Sequence, residues 1–407
     1  MNAGKNKNEV KIRMRTIGVT SRGIRAPIIK AGDDVVSIAV DSLKQAWESE
    51  GFELRDKDVI GITESVVARS QNNYASTAQI AAHVRALTGG GHVGLIFPIL
   101  SRNRFSVLLK GIAMGVDKLT LQFSYPADEV GNHLISLEDL DAKGINPYTD
   151  SMTEKEFRSI FGDKTIHPFT GIDYINFYRE ASGMEEISFI FSNDPCYILK
   201  YTDTVISADI HTRVRSRRLL ENGGAKKVIT LDQILNESVD GSGYNSRFGL
   251  LGSNKASDDI VKLFPERGQE VVDAVQKRLL DMTGKHVEVM IYGDGAFKDP
   301  VGKIWELADP VVSPVFTSGL LGVPNEIKMK YLADTDFKDL SGDAAKEAMI
   351  QAIKSKESNL VGNMISEGTT PRQLTDLLGS LCDLTSGSGD KGTPFILIQG
   401  YFDTYAT

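Results

Sequence analysis

Strand-like and helix-like segments alternate from Asp58 to Phe123, and this alternation restricts the fold more than any other feature of the chain. Asp58 to Val67 reads as a buried strand leading into a turn with polar residues at its mouth. Ala75 to Leu87 has helical spacing and is stopped by Gly89, Gly90 and Gly91. Val93 to Leu100 follows as a strand, Phe105 to Gly115 as a helix and Lys118 to Phe123 as a strand. Such a series predicts an α/β layer whose sites lie at strand ends. Upstream, Val10 to Val19 alternates basic and apolar residues as an edge strand does, and Pro27-Ile28-Ile29 continues extended. Asp33 and Asp34 then open a helix in which Val35, Ile38, Ala39, Ser42, Leu43 and Ala46 recur on one face.

The remaining segments divide the chain. At roughly 150 residues per domain, 407 residues suggest two or three units. We expect an N-terminal α/β part over 10–133, an inserted subdomain over 134–240 and a C-terminal α+β part over 241–407. Aromatics crowd between Phe157 and Tyr201, and Glu237 to Asn254, rich in Gly, Ser and Asn, reads as the linker. Gly268–Thr283, Ala344–Ser355 and Thr370–Leu384 read as helices, and Lys285–Tyr292 and Phe395–Gly400 as strands. A chain with 41% hydrophobic and 25% charged residues is not disordered. Two cysteines, Cys196 and Cys382, cannot build a disulfide framework, no apolar run reaches a membrane span, and the start has no signal-peptide core. A soluble cytoplasmic protein is expected, without membrane attachment. The net charge of -8 argues against nucleic-acid binding.

Six scattered histidines lack ligand spacing, and no Walker loop, dinucleotide fingerprint or nucleophile elbow is present. Chemistry would therefore fall to carboxylates, arginines and a hard cation. Thr63-Glu64-Ser65 with Arg69 can hold phosphate at a strand end, or form a solvated loop. Asp294, between Gly293 and Gly295, suits a ligand or divalent ion and equally a hairpin turn. The run Gly387-Ser388-Gly389-Asp390-Lys391-Gly392 can cradle an anion or serve as a linker. Arg102 and Arg104, between a strand and a helix, can bind carboxylate or phosphate, or be solvated. Asp128-Glu129-Val130-Gly131-Asn132-His133 reads as a metal or substrate contact or as a surface turn. Arg213 to Arg218 reads by default as a solvated edge strand.

Taken in order, Pro27 to Asp34, Asp58 to Arg69 and Arg278 to Val287 resemble the coenzyme F-420-0:L-glutamate ligase (gamma-glutamyl ligase) family. The resemblance implies a mixed α/β core with an insertion, and a homodimer is expected. It also implies GTP with Mg2+ or Mn2+, and amide formation between L-glutamate and a carboxylate-bearing acceptor through an acyl phosphate. Matched position by position, Pro27, Ile28, Ile29, Glu64, Ser65, Arg69, Asn254, Gly389, Asp390 and Gly392 would contact the nucleotide. Asp294 and Asp390 would hold metal, and Asp294, Arg102 and Arg104 would serve catalysis. Leu251 stands where the family has a metal-binding aspartate. A folate-type acceptor, or a non-catalytic homologue that binds a nucleotide or metabolite, are the competing readings.

Overall fold

A computed structural model of the chain describes residues 15–102, 104–162, 166–167, 171–293, 296–298, 305–307, 315–366, 373–386 and 390–407. Strand β1 (Thr20–Ile24) leads to helix α1 (Val35–Glu50), which begins where the Asp34 carboxylate accepts the Val36 and Ser37 amides at 3.1 Å. Val35, Ala39, Val40 and Leu43 bury the predicted face. Strand β2 (Val59–Thr63) passes directly into α2 (Glu64–Ser70), so the expected polar mouth is the start of a helix. After β3 (Tyr74–Ser76), α3 (Thr77–Thr88) is set by a Ser76–Gln79 capping box and stopped at Gly89.

A parallel sheet fills the middle of the chain. In order come β4 (His92–Ile96), α4 (Phe105–Met114), β5 (Lys118–Phe123), α5 (Leu137–Ala142), β6 (Met152–Thr153), α6 (Glu154–Phe161) and α7 (Tyr174–Ser182). Then follow β7 (Ile187–Phe191), β8 (Thr204–Ser207), α8 (Arg213–Asn222) and β9 (Lys227–Thr230). The strands lie in the order β6-β7-β5-β4-β8-β9, with β6 antiparallel at one edge. The strand order reverses direction between β4 and β8, as in a doubly wound sheet. Two sequence expectations change here. The alternation from Asp58 to Phe123 is split, because β2 pairs with strands from the C-terminal third while β4 and β5 join this sheet. Arg213–Arg218 is helical: Ser216 and Leu220, four residues apart, bury one face, and a six-residue window did not separate that period from an alternating one.

The last third returns to the first. It runs through β10 (Asn254–Lys255), β11 (Ile260–Lys262), α9 (Gly268–Thr283), β12 (Glu288–Tyr292), β13 (Ala296–Lys298) and β14 (Trp305–Leu307). It continues with β15 (Val315–Phe316), α10 (Met329–Asp334), α11 (Gly342–Ser355), α12 (Leu374–Ser386) and β16 (Phe395–Gln399). A five-stranded sheet has the order β1-β16-β2-β12-β15, with β2 and β12 parallel and the other pairs antiparallel. Ile60 and Ile62 face α1 and α9, while Val59, Met290 and Ile396 face α12. The segment Glu237–Asn254 is packed and does not behave as a linker. Leu250 and Leu251 enter the core, and Asn73 exchanges 2.9 Å hydrogen bonds with the main chain of Tyr244. Small polar residues there satisfy buried backbone, a use that composition does not distinguish from flexibility. Among the described residues no helix is long and apolar enough to cross a membrane.

Gly61 shows how tightly the two layers meet. A Cβ at this position would collide with the Cys382 sulfur of α12, and β2 is a central strand. Gly61→Ala is expected to lower stability by about 1–3 kcal/mol through overpacking, read as a lower midpoint in urea denaturation.

Candidate functional site

Adjacent strands bring distant segments to one end of the five-stranded sheet. The order β1-β16-β2 sets the chain before β16 between the chain after β1 and the start of α2. Main-chain hydrogen bonds fix the arrangement: Ala26 N–H donates to Gly392 O at 3.1 Å, and Thr63 N–H to Pro394 O at 3.0 Å. The result is an open cleft of about 540 Å³. Its walls include Pro27, Ile28, Ile29, Glu64, Ser65, Arg69 and Gly392, together with Tyr292, Gly293, Asp383 and Ser386. Seven of the residues expected to contact a nucleotide are thus brought together.

The walls have distinct chemical characters. Ile28 is 81% exposed, so it and Pro27 present hydrocarbon to whatever enters. Opposite in character, the Arg69 guanidinium is exposed and has no hydrogen bond or ion pair among the described residues. Gly392 has a φ of 68°, which leaves its backbone open to close approach. Glu64 is buried, and the Lys262 ammonium lies 3.1 Å from its Oε1 and 2.6 Å from Ser65 Oγ. Lys262 was not among the residues singled out from sequence. Its partner on β10 is Asn254, so Asn254 stands next to this ion pair across the ladder and is not one of the cleft's lining residues. Burial raises the Tyr292 hydroxyl and the Cys382 thiol, leaving both as neutral structural groups.

Several expected site residues lie elsewhere. Arg102 and Arg104 follow β4 in the six-stranded sheet and are absent from the cleft's walls. Asp390 is exposed on the turn leading to Gly392. Asn103, Asp294, Gly387 and Gly389 lie outside the described residues, although Gly293, next to Asp294, lines the cleft. Leu251 is only 3% exposed and packs in the core. The donors around the cleft are carboxylates and hydroxyls, the hard oxygen type that suits Mg2+ or Mn2+. Among the described residues, however, no three His, Cys, Asp or Glu side chains gather.

The Asp128–His133 loop does local structural work. Asp128 accepts the Leu100 amide at 2.7 Å and the Asn132 amide at 2.8 Å. Glu129 accepts the amides of Ile210 and His211 beyond β8. Burial, reinforced by the neighbouring charges of Asp209 and Asp128, pushes the Glu129 carboxyl up to about 7. The folded state therefore binds a proton that the unfolded state has released between pH 4.5 and about 7. Stability should fall as pH rises through that window, by on the order of 3 kcal/mol. Denaturation of the Glu129→Gln variant across the same pH range should show a flatter profile; an unchanged slope would remove Glu129 as its source.

A profile of the F420-0:gamma-glutamyl ligase family matches residues 23–400. Among curated proteins, no sequence matches the chain.

Proposed function

Because the chain belongs to the F420-0:gamma-glutamyl ligase family, and is by that membership a gamma-glutamyl ligase in general type, we propose that it joins L-glutamate to a terminal carboxylate at the expense of GTP. The observation that carries this reading is the convergence of Pro27–Ile29, Glu64–Arg69 and Gly392 on one cleft. Resemblance to the family assigns each of these segments to the nucleotide. In the proposed complex, Pro27 and Ile28 offer an apolar surface to the base, while Arg69 and Ser65 donate to phosphate oxygens.

In the proposed reaction, an oxygen of the acceptor carboxylate attacks the γ-phosphorus and GDP leaves. The amine of L-glutamate then attacks the resulting acyl phosphate, inorganic phosphate departs and an amide remains. Asp294 and Asp390 are the carboxylates we propose to hold Mg2+ or Mn2+. When bound, the ion would offset the negative charge of the triphosphate. Arg102 and Arg104 lie past the carboxyl end of β4, beside the point where the six-stranded sheet reverses strand order. Parallel sheets commonly bind ligands there, so we assign this pair to recognition of the acceptor and not to the chemical step.

Thermal unfolding with and without GTP and Mg2+ tests the nucleotide part. A ligand at 100 times its dissociation constant should stabilise the protein by about 2.7 kcal/mol. No rise in melting temperature with GTP at millimolar concentration, with either Mg2+ or Mn2+, would count against the reading.

A further inference from the structure

Lys262 lies 198 positions from Glu64, and strand pairing alone brings them together. In β11, Val261 is fully buried, and Lys262 alternates to the other side of the strand. Its register places it opposite Tyr74 of β3 and Asn254 of β10. From there its side chain, 12% exposed, reaches Glu64 and Ser65.

The chemistry of these three groups has a direction. An ammonium only donates, so in the 2.6 Å contact with Lys262 the Ser65 oxygen must be the acceptor. The Ser65 hydroxyl proton then points away from Lys262. Ser65 is exposed, lines the cleft and has no second hydrogen bond among the described residues. Its O–H is therefore available to a ligand, and the charge behind it strengthens it as a donor. Glu64 poses the opposite problem, because a bare carboxylate in this wall would repel an anion. The Lys262 charge offsets it.

We infer that Lys262 is a positioning residue of the cleft: it turns Ser65 into a hydrogen-bond donor toward an anionic oxygen of the ligand and cancels the repulsion of Glu64. This inference rests on the reading that the cleft takes an anionic substrate, and it names the device that makes the wall anion-selective.

Calorimetric titration with inorganic tripolyphosphate and with GTP tests it on the full chain. Lys262→Met should weaken both by roughly tenfold or more, and Lys262→Arg should keep most of the affinity. Ser65→Ala should weaken binding too, and adding it to Lys262→Met should cost little more, since both changes remove the same donor. A purely structural lysine would instead give losses that multiply. If Lys262→Met does not fold, Glu64→Gln against Glu64→Gln/Lys262→Met makes the same comparison without a buried unpaired charge, and equal affinities there would overturn the inference. Should GTP bind the wild type and Lys262→Met alike, the inference fails while the nucleotide reading stands. Should tripolyphosphate bind in a Lys262-dependent manner and GTP not bind, the nucleotide reading fails and the inference stands. Binding of neither anion to the wild type would overturn both.

Discussion

Arg69→Ala should lose about tenfold to a hundredfold in nucleotide affinity while leaving the fold intact. Two facts combine in this expectation. Arg69 is exposed at the cleft and its guanidinium has no protein partner among the described residues, so removing it breaks no hydrogen bond or ion pair there and should change stability by less than about 0.5 kcal/mol. The same open guanidinium offers paired donors to phosphate, an interaction that a methyl group cannot replace. Arg69→Lys keeps the charge and loses the fork, so it should retain part of the affinity. Titration of GTP into the three proteins, with unfolding curves recorded alongside, separates binding from folding. An Arg69→Ala protein that binds GTP normally would place the phosphates away from this wall.

Leu251→Asp should behave in the opposite way, damaging the fold without restoring a metal site. Family resemblance puts an aspartate at this position, so the substitution looks like a repair. In the structure, Leu251 is buried in the same hydrophobic core as Leu250, Val261 and Leu263, and an ionised carboxylate there would enter a largely hydrocarbon environment. Burying an unpaired charge should cost on the order of 4 kcal/mol, a large share of the stability of an ordinary domain. The loss should ease at low pH, where the new carboxyl is neutral. Denaturant titrations at two pH values would show this. Undiminished stability, or a gain in Mn2+ affinity, would mean that Leu251 can turn out toward the cleft.

The difference between these two positions also shows what the sequence could carry. Helix α1 was legible because its determinants are local: a capping aspartate, an apolar face and Gly51 at its end. The cleft was legible through resemblance, since Pro27, Glu64, Arg69 and Gly392 are far apart in sequence and no local pattern joins them. Sheet membership was not legible. Strand β2 and strand β4 both precede helices and have similar apolar character, yet they belong to different sheets because β2 finds its partners in β12 and β16. Lys262 was hidden for the same reason. A lysine at the end of a short strand looks solvated until β11 pairs with β3 and carries it to Glu64. The Asp128–Glu129 pair had the composition of a ligand site, and its carboxylates instead hold the loops beyond β4 and β8.

Glutamate-dependent release of phosphate from GTP tests the proposed ligase chemistry most directly. The protein would be incubated with GTP, Mg2+ or Mn2+, L-glutamate and carboxylate-bearing acceptors that include F420-0 and a folate, with product masses measured in parallel. The predicted result is phosphate release that requires both glutamate and one acceptor, with a product heavier by one glutamyl residue. Tight GTP binding with no glutamate-dependent phosphate release for any acceptor would contradict it.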